Sequence, residues 1–237
     1  KVGTIGDIGC FSMQAGKLLP SGEGGVMITN NLDWHERAIC LGHYERISKL
    51  SNPDYHKYSP TCFGYKYRIS PLSAAIARVQ LRHLDQRNKQ RDDNVMYLMD
   101  GIGAFSGIYP LKPAEYIFRG YYSSPYIRYH ADELNELPKP KLIEALRAEG
   151  TSVASGAPGG SNHLSAIFQE RNHPAFSRPE IQHKITYRKG DLPRSEKPRQ
   201  DMMTIPAFPA ADKILLDQYI EAFHKVTDNA VELLKKI

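Results

Sequence analysis

Apolar and polar positions follow two rhythms along this chain. Residues 8–12 and 26–30 are short apolar runs bounded by glycine, and they predict two buried strands joined through a loop and a Gly-rich turn. From Asp33 to Gly42 the spacing becomes helical, with Asp33 as N-cap and Glu36 three residues on completing a capping box. Residues 48–63 hold Asn52-Pro53 and Ser59-Pro60 and predict an irregular loop. Ser70-Pro71 marks a helix start, a hydroxyl for the first unpaired N–H groups followed by a residue that has none to leave unpaired. Leu72, Ala75, Ile76 and Val79 then make one apolar face. Asp85 to Asn94 is polar without a break, an exposed helical stretch or a joint between helices, and Val95, Leu98, Met99 and Ile102 resume the face. Residues 71–102 therefore read as one long helical region.

Beyond Gly103 the rhythm changes. Ile108-Tyr109-Pro110 and Tyr121 to Tyr129 predict strands of a small sheet, Pro138 to Ala148 a helix closed by Gly150, Thr151 to Ser155 a short strand, and Met202 to Pro206 another. Residues 156–200 are rich in Gly, Pro, His and charge and predict no regular element. Leu216, Tyr219, Ile220, Phe223, Val226, Ala230, Leu234 and Ile237 lie on one stripe, which predicts a single final amphipathic helix whose apolar side is core.

Composition narrows the class. A chain of 237 residues, 41% hydrophobic and 24% charged, can build a globular core as one large domain or two small ones. Its three cysteines are odd in number and lack Cys-x-x-Cys spacing, so neither a disulfide framework nor a metal site is expected. No apolar run approaches the length that spans a bilayer and no signal-peptide pattern opens the sequence, so the cytoplasm is the expected compartment. The net charge is +5, and residues 181–200 carry six of the basic side chains against Asp191 and Glu196. With one aromatic residue, Tyr187, and no nucleic-acid motif, this stretch reads as a solvated loop or as an attractor for an anionic substrate, and no nucleic-acid partner is expected.

The candidate chemistry lies in Gly9 to Thr29, GCFSMQAGKLLPSGEGGVMIT. Lys17 sits between the two strands. One reading makes it a solvated charge beside a hairpin turn. The other makes it an amine for carbonyl chemistry, since burial and polarising neighbours can turn a lysine into a nucleophile.

The second reading is favoured by a resemblance. Gly6-Asp7, Cys10-Phe11-Ser12, Lys17 and Gly22-Glu23-Gly24-Gly25 resemble the lysine segment of the DegT/DnrJ/EryC1/StrS family of sugar aminotransferases. Gly64-Tyr65-Lys66-Tyr67-Arg68-Ile69-Ser70-Pro71-Leu72-Ser73-Ala74-Ala75 resembles a second signature of that family, and Gln80-Leu81 with Leu84-Asp85 a third. The three occur in the family's order and spacing, most clearly over residues 1 to about 100. The resemblance implies an α/β chain of PLP-dependent transferase fold type I (aspartate aminotransferase-like), here a partial large domain over 1–85 and a small C-terminal α+β domain over 86–237. It implies pyridoxal 5′-phosphate (PLP) held by Lys17 as a Schiff base, with Ser12 on the phosphate and Gln14 lining the site. Where the family has asparagine in Gly-Tyr-Asn-Tyr-Arg, reaching the phosphate of the neighbouring subunit, this chain has Lys66, which meets a phosphate as a point charge. His43 and Tyr44 are candidates to face the substrate. A branch of dehydratases replaces the lysine with histidine, and Lys17 argues against it.

The implied reaction moves an amino group from glutamate or glutamine to a keto-sugar nucleotide or a cyclitol ketone, in a homodimer. Phe11-Ser12-Met13-Gln14 and Lys17-Leu18-Leu19 tilt the likeness toward inosose- and aminobenzoate-type members. The family's acidic partner for the pyridine nitrogen, its ring stacker and a Gly-Thr phosphate contact belong to a segment before Lys1, so the chain is expected to be the C-terminal portion of such an enzyme. Two alternatives stand beside this: a truncated, catalytically inactive PLP-fold remnant acting through a protein partner or without activity, and a phosphate- or nucleic-acid-binding module. Gly22-Glu23-Gly24-Gly25 lacks the spacing of a P-loop or dinucleotide fingerprint, which counts against the last.

Overall fold

The computed structural model describes residues 1–118, 124–156, 161–171, 174 and 186–235. The chain forms two compact units, Lys1–Arg87 and Asn88–Ile237.

In the first unit, strands β1 (Gly9–Ser12) and β2 (Gly25–Ile28) pair antiparallel, Gly9 opposite Ile28 and Ser12 opposite Gly25. Their positions agree with the apolar runs, but their burial does not. Phe11, Val26, Met27 and Ile28 are all at least one-third exposed. A ribbon of two four-residue strands has two faces, and no described element covers them. Helix α1 (Leu32–Gly42) is capped two residues earlier than expected, because the Asn31 side chain accepts from Trp34 N at 3.2 Å. Asp33 thereby falls in the first turn, where its charge suits the helix N-terminus and its carboxylate accepts from the Tyr55 hydroxyl. Glu36 closes no capping box. It is 3% exposed and accepts from Ser51 N (2.6 Å) and Asn52 N (3.1 Å), holding the bend between two 3₁₀ turns, Tyr44–Lys49 and Pro53–Tyr58. The second turn occupies part of the stretch expected to be irregular, and Asn52 caps it through Asp54 N.

Helix α2 (Pro71–Arg82) begins as its sequence dictates, with Ser70 Oγ accepting from Leu72 N at 3.3 Å. Removing that acceptor by Ser70→Ala is expected to cost about 1 kcal/mol, read as a lower denaturant midpoint. The single helical region over 71–102 is corrected to two helices. His83 caps the first by donating to Gln80 O, and α3 (Leu84–Ile102) follows. The polar run from Asp85 lies within α3, whose Val95, Leu98, Met99 and Ile102 are fully buried.

The second unit is built on an antiparallel sheet of β3 (Ile108–Pro110), β4 (Tyr126–Tyr129), β5 (Ala154–Ser155) and β6 (Met202–Thr204), in the order β3-β4-β6-β5. The strand expected over 121–129 is thus described only from Tyr126, and residues 121–123 lie outside the described residues. Helix α4 (Lys139–Ala148) ends before Gly150, whose φ of +91° lies in the left-handed region that favours glycine. Among the described residues of the stretch with no predicted element lie a 3₁₀ turn at Asn162–Leu164 and the helices α5 (Ala166–Glu170) and α6 (Pro193–Asp201). The single final helix is corrected to α7 (Lys213–Asp228) and α8 (Ala230–Leu234). They part at Asn229, whose amide donates to Lys225 O at 2.7 Å and so competes with the helical ladder. Ile237, the last position of the predicted stripe, lies outside the described residues.

The core gathers Leu98 and Ile102 of α3, Ile108, Ile127 and Met203 of the sheet, Leu142 and Leu146 of α4, and Leu216, Tyr219, Phe223 and Val226 of α7. Two tyrosine hydroxyls in it are paired. Tyr129 Oη donates to Leu137 O at 2.6 Å, and Tyr219 Oη accepts from Ser152 N at 2.8 Å. Burial pushes the Tyr129 phenol up to about 12, so it keeps its proton. At the rim, Glu133 accepts from Tyr109 Oη (2.7 Å) and Gly107 N (3.0 Å). The tyrosine bond first, then the backbone bond, hold its carboxyl below the ordinary 4.5. This depressed group contributes its stability fully above that value, and the contribution is lost as pH falls through the lower folded one. Stability measured by denaturant at pH 6 and pH 3 is expected to fall less in Glu133→Gln than in the native protein.

Candidate active site

The loop bearing Lys17 leaves β1 at Ser12 and is tied at its base by one residue. Met13 is buried. Its N–H donates to Gly24 O and its carbonyl accepts from Ser21 N, both at 2.9 Å. Inside the loop Gln14 sets the turn. Its N–H donates to Ser12 Oγ (3.3 Å), its Oε1 accepts from Gly16 N (2.8 Å), and its carbonyl accepts from Lys17 N (2.9 Å). Lys17 is thus carried by a backbone that local hydrogen bonds fix, with its side chain partly buried. Ser12 is exposed, and because it accepts from Gln14 it keeps its hydroxyl proton to give to an anion. The glycine turn closes against Ile69. A Cβ added at Gly24, whose φ is +146°, would lie 3.2 Å from Ile69 Cδ1.

The other candidates form a second group beyond Ile69. His43 and Lys66 face each other as an isolated antiparallel bridge, reinforced by Tyr67 N donating to Gly42 O at 2.8 Å. Gly42 permits that approach, since a Cβ there would press on Tyr67 Cβ at 2.9 Å. His43 Nδ1 is buried without a hydrogen-bond partner among the described residues. Lys66 is exposed. Tyr44 lies under the Arg68 guanidinium, 5.7 Å from it, and Arg68 pairs with Glu45 at 2.5 Å. Sequence reasoning named neither Arg68 nor Ile69 as a site residue, although both stand within the Gly64-to-Ser70 signature.

This donor set suits one kind of group. An amine takes an aldehyde, while a hydroxyl with a proton to spare takes a phosphate oxygen, and Lys17 and Ser12 supply the two from one loop. The residues present therefore fit a phosphorylated aldehyde, and PLP is such a molecule.

Comparison with known proteins gives the chain its place. It is 34% identical over 181 residues to the L-glutamine:2-deoxy-scyllo-inosose aminotransferase of Streptoalloteichus tenebrarius, covering 72% of this chain and 42% of that protein. The protein of the same name from Micromonospora echinospora is 28% identical over 244 residues, covering 98% and 56%. The fold matches the E. coli GDP-4-keto-6-deoxy-D-mannose-3-dehydratase with bound hydrated PLP at a TM-score of 0.67 and 16% identity, covering 94% of this chain and 56% of that one. The chain spans about half the length of the curated relatives it matches. The profile of one family covers residues 1–224. With the lysine loop and the aromatic signature in place, the chain belongs to the DegT/DnrJ/EryC1/StrS aminotransferase family.

Proposed function

We propose that this chain carries the lysine of a PLP-dependent aminotransferase that moves an amino group from glutamine or glutamate to a cyclitol ketone or a keto-sugar nucleotide. One observation carries the reading: Lys17 follows Ser12 on a loop tied at Met13 and shaped by Gln14, so one hydrogen-bonded segment carries both an amine and a hydroxyl. The relatives named as L-glutamine:2-deoxy-scyllo-inosose aminotransferases support glutamine as donor and a cyclitol ketone as acceptor. The structural neighbour with hydrated PLP supports the cofactor.

In this reading Lys17 holds the cofactor, Ser12 takes its phosphate, Lys66 reaches the phosphate of the neighbouring subunit's cofactor, Gln14 shapes the wall, and His43 and Tyr44 face the substrate. When bound, PLP supplies an electron sink for the carbon that loses its proton. Lys17 Nζ would take the proton from the donor's α-carbon as general base and return one as general acid. Residues 1–85 are then the end of the large cofactor domain and 86–237 the small domain, which the division after Arg87 supports. Exposed apolar side chains on α2, Leu72, Ile76 and Val79, support burial against a second copy in a homodimer. Among the described residues no helix is long and apolar enough to cross a membrane, in keeping with a cytoplasmic enzyme.

Reductive trapping tests the proposal. Protein incubated with PLP and borohydride is expected to carry the cofactor on the Lys17 peptide, and the Lys17→Arg protein is expected to carry none there. Ser12→Ala is expected to weaken PLP binding about tenfold, the worth of one hydrogen bond to a charged group. A protein that stays colourless with PLP, or one labelled evenly over surface lysines, would replace this reading with that of a catalytically silent member of the family.

A further inference from the structure

Helix α1 and the turns after it line a cavity of about 770 Å³, whose walls include Arg37, Cys40, Leu41, Tyr55, Tyr58 and Cys62. None of the candidate active-site residues is among them, and the proposed reaction leaves both thiols without a role. Cys40 is buried with Ile47 and Leu50, and Cys62, partly buried, packs against that same cluster. Both are free thiols. Cys62 sits at φ +43°, a left-handed conformation that side chains other than glycine rarely adopt. The turn that holds it there is closed by Cys62 N donating to Tyr58 O at 2.9 Å and Gly64 N donating to Thr61 O at 2.7 Å. The fold thus keeps two sulfurs from distant parts of the sequence in one apolar cluster, and both residues line the cavity.

We propose that Cys40 and Cys62 are a redox-modification site, which hydrogen peroxide closes to an intramolecular disulfide and a thiol reductant reopens. The Cys62 sulfur attacks one peroxide oxygen, the O–O bond breaks, and the departing oxygen takes the thiol proton to leave as water. The Cys40 sulfur then attacks the Cys62 sulfenic sulfur, the S–O bond breaks, and the hydroxyl leaves with the Cys40 proton as a second water. Two thiols lose two electrons to one peroxide. The order follows from the surroundings. Burial first, then the charges of Cys62 and Glu36, push the Cys40 thiol up, so the more accessible Cys62 meets the oxidant and Cys40 resolves it. Cys10, exposed on β1 and outside this cluster, is the internal control.

The test is thiol mapping on the purified protein. After mild peroxide, removal of oxidant, denaturation and alkylation, the expected result is one linked Cys40–Cys62 peptide pair and an alkylated Cys10. Dithiothreitol before alkylation is expected to return all three cysteines to the alkylated pool. In Cys62→Ser, Cys40 is expected to remain alkylatable after peroxide. The proposal is overturned by separate alkylation of Cys40 and Cys62 after peroxide, or by Cys62 accumulating as sulfinic acid with no linked pair.

Discussion

On the proposed function, Lys17→Ala is expected to lower amino transfer by about 10³-fold or more, because it would remove both the covalent hold on the cofactor and the general acid/base, and the latter alone is worth about 10²–10⁴. Lys17→Arg keeps the charge and is expected to fail equally, since a guanidinium neither adds to an aldehyde nor gives up its proton. Added methylamine separates chemistry from folding. Partial rescue of Lys17→Ala by the amine is expected if Nζ itself is what is missing, and no rescue of Lys17→Arg, where the side chain fills the space. The melting temperature is measured beside the rates, since the backbone of the loop is set at Met13 and Gln14 and the shift reads what the lysine side chain adds to it. A large fall in melting temperature without rescue would assign Lys17 a structural role.

Phe223→Ala is expected to cost about 3–5 kcal/mol, the range for emptying a buried phenyl site. Phe223 is fully buried in the middle of α7, within a core drawn from α3, the sheet and α4. Against a total of about 5–15 kcal/mol that loss is a large share, so denaturation should show a much lower midpoint. Ile220→Ala tests the geometry from the other side. Ile220 belongs to the same predicted stripe but is only partly buried at the core's edge, and its truncation is expected to cost less than half as much. Equal costs at the two positions would mean that the helix packs in another rotation.

Element positions in this chain were legible where chemistry is local. Ser70-Pro71 and Gly150 each mark an end within two residues, and the structure puts the ends there. The cap of α1 was misread because Asn31 and Asp33 are both good caps, and only the reach of Asn31 to Trp34 N decides between them. The break at His83 has no glycine or proline to announce it. Helix α6 was missed because Pro193–Asp201 has no apolar periodicity, and its Pro198 argues against a helix. Burial of β1 and β2 was inferred from composition, but composition cannot say what lies over a strand. The site follows the same rule. Ser12, Gln14 and Lys17 lie within six residues and their grouping was readable, whereas the pairing of His43 with Lys66 is made by a backbone bridge between distant segments. The resemblance could name both residues but could not place them side by side.

The strand order of the small sheet bears on how the chain emerges from the ribosome. Strands β3 and β4 neighbour each other in sequence, but among the described strands β5 pairs with β6 alone, and β6 also completes the free side of β4. About 50 residues separate Ser155 from Thr204. At about 5–20 residues per second, β5 waits for roughly 3–10 s with its backbone unpaired by any strand, and α7, which supplies much of the core, arrives later still. Its translation therefore contains an interval in which the edge of a half-built sheet is open, and that interval is when a nascent chain of this protein has most need of a chaperone.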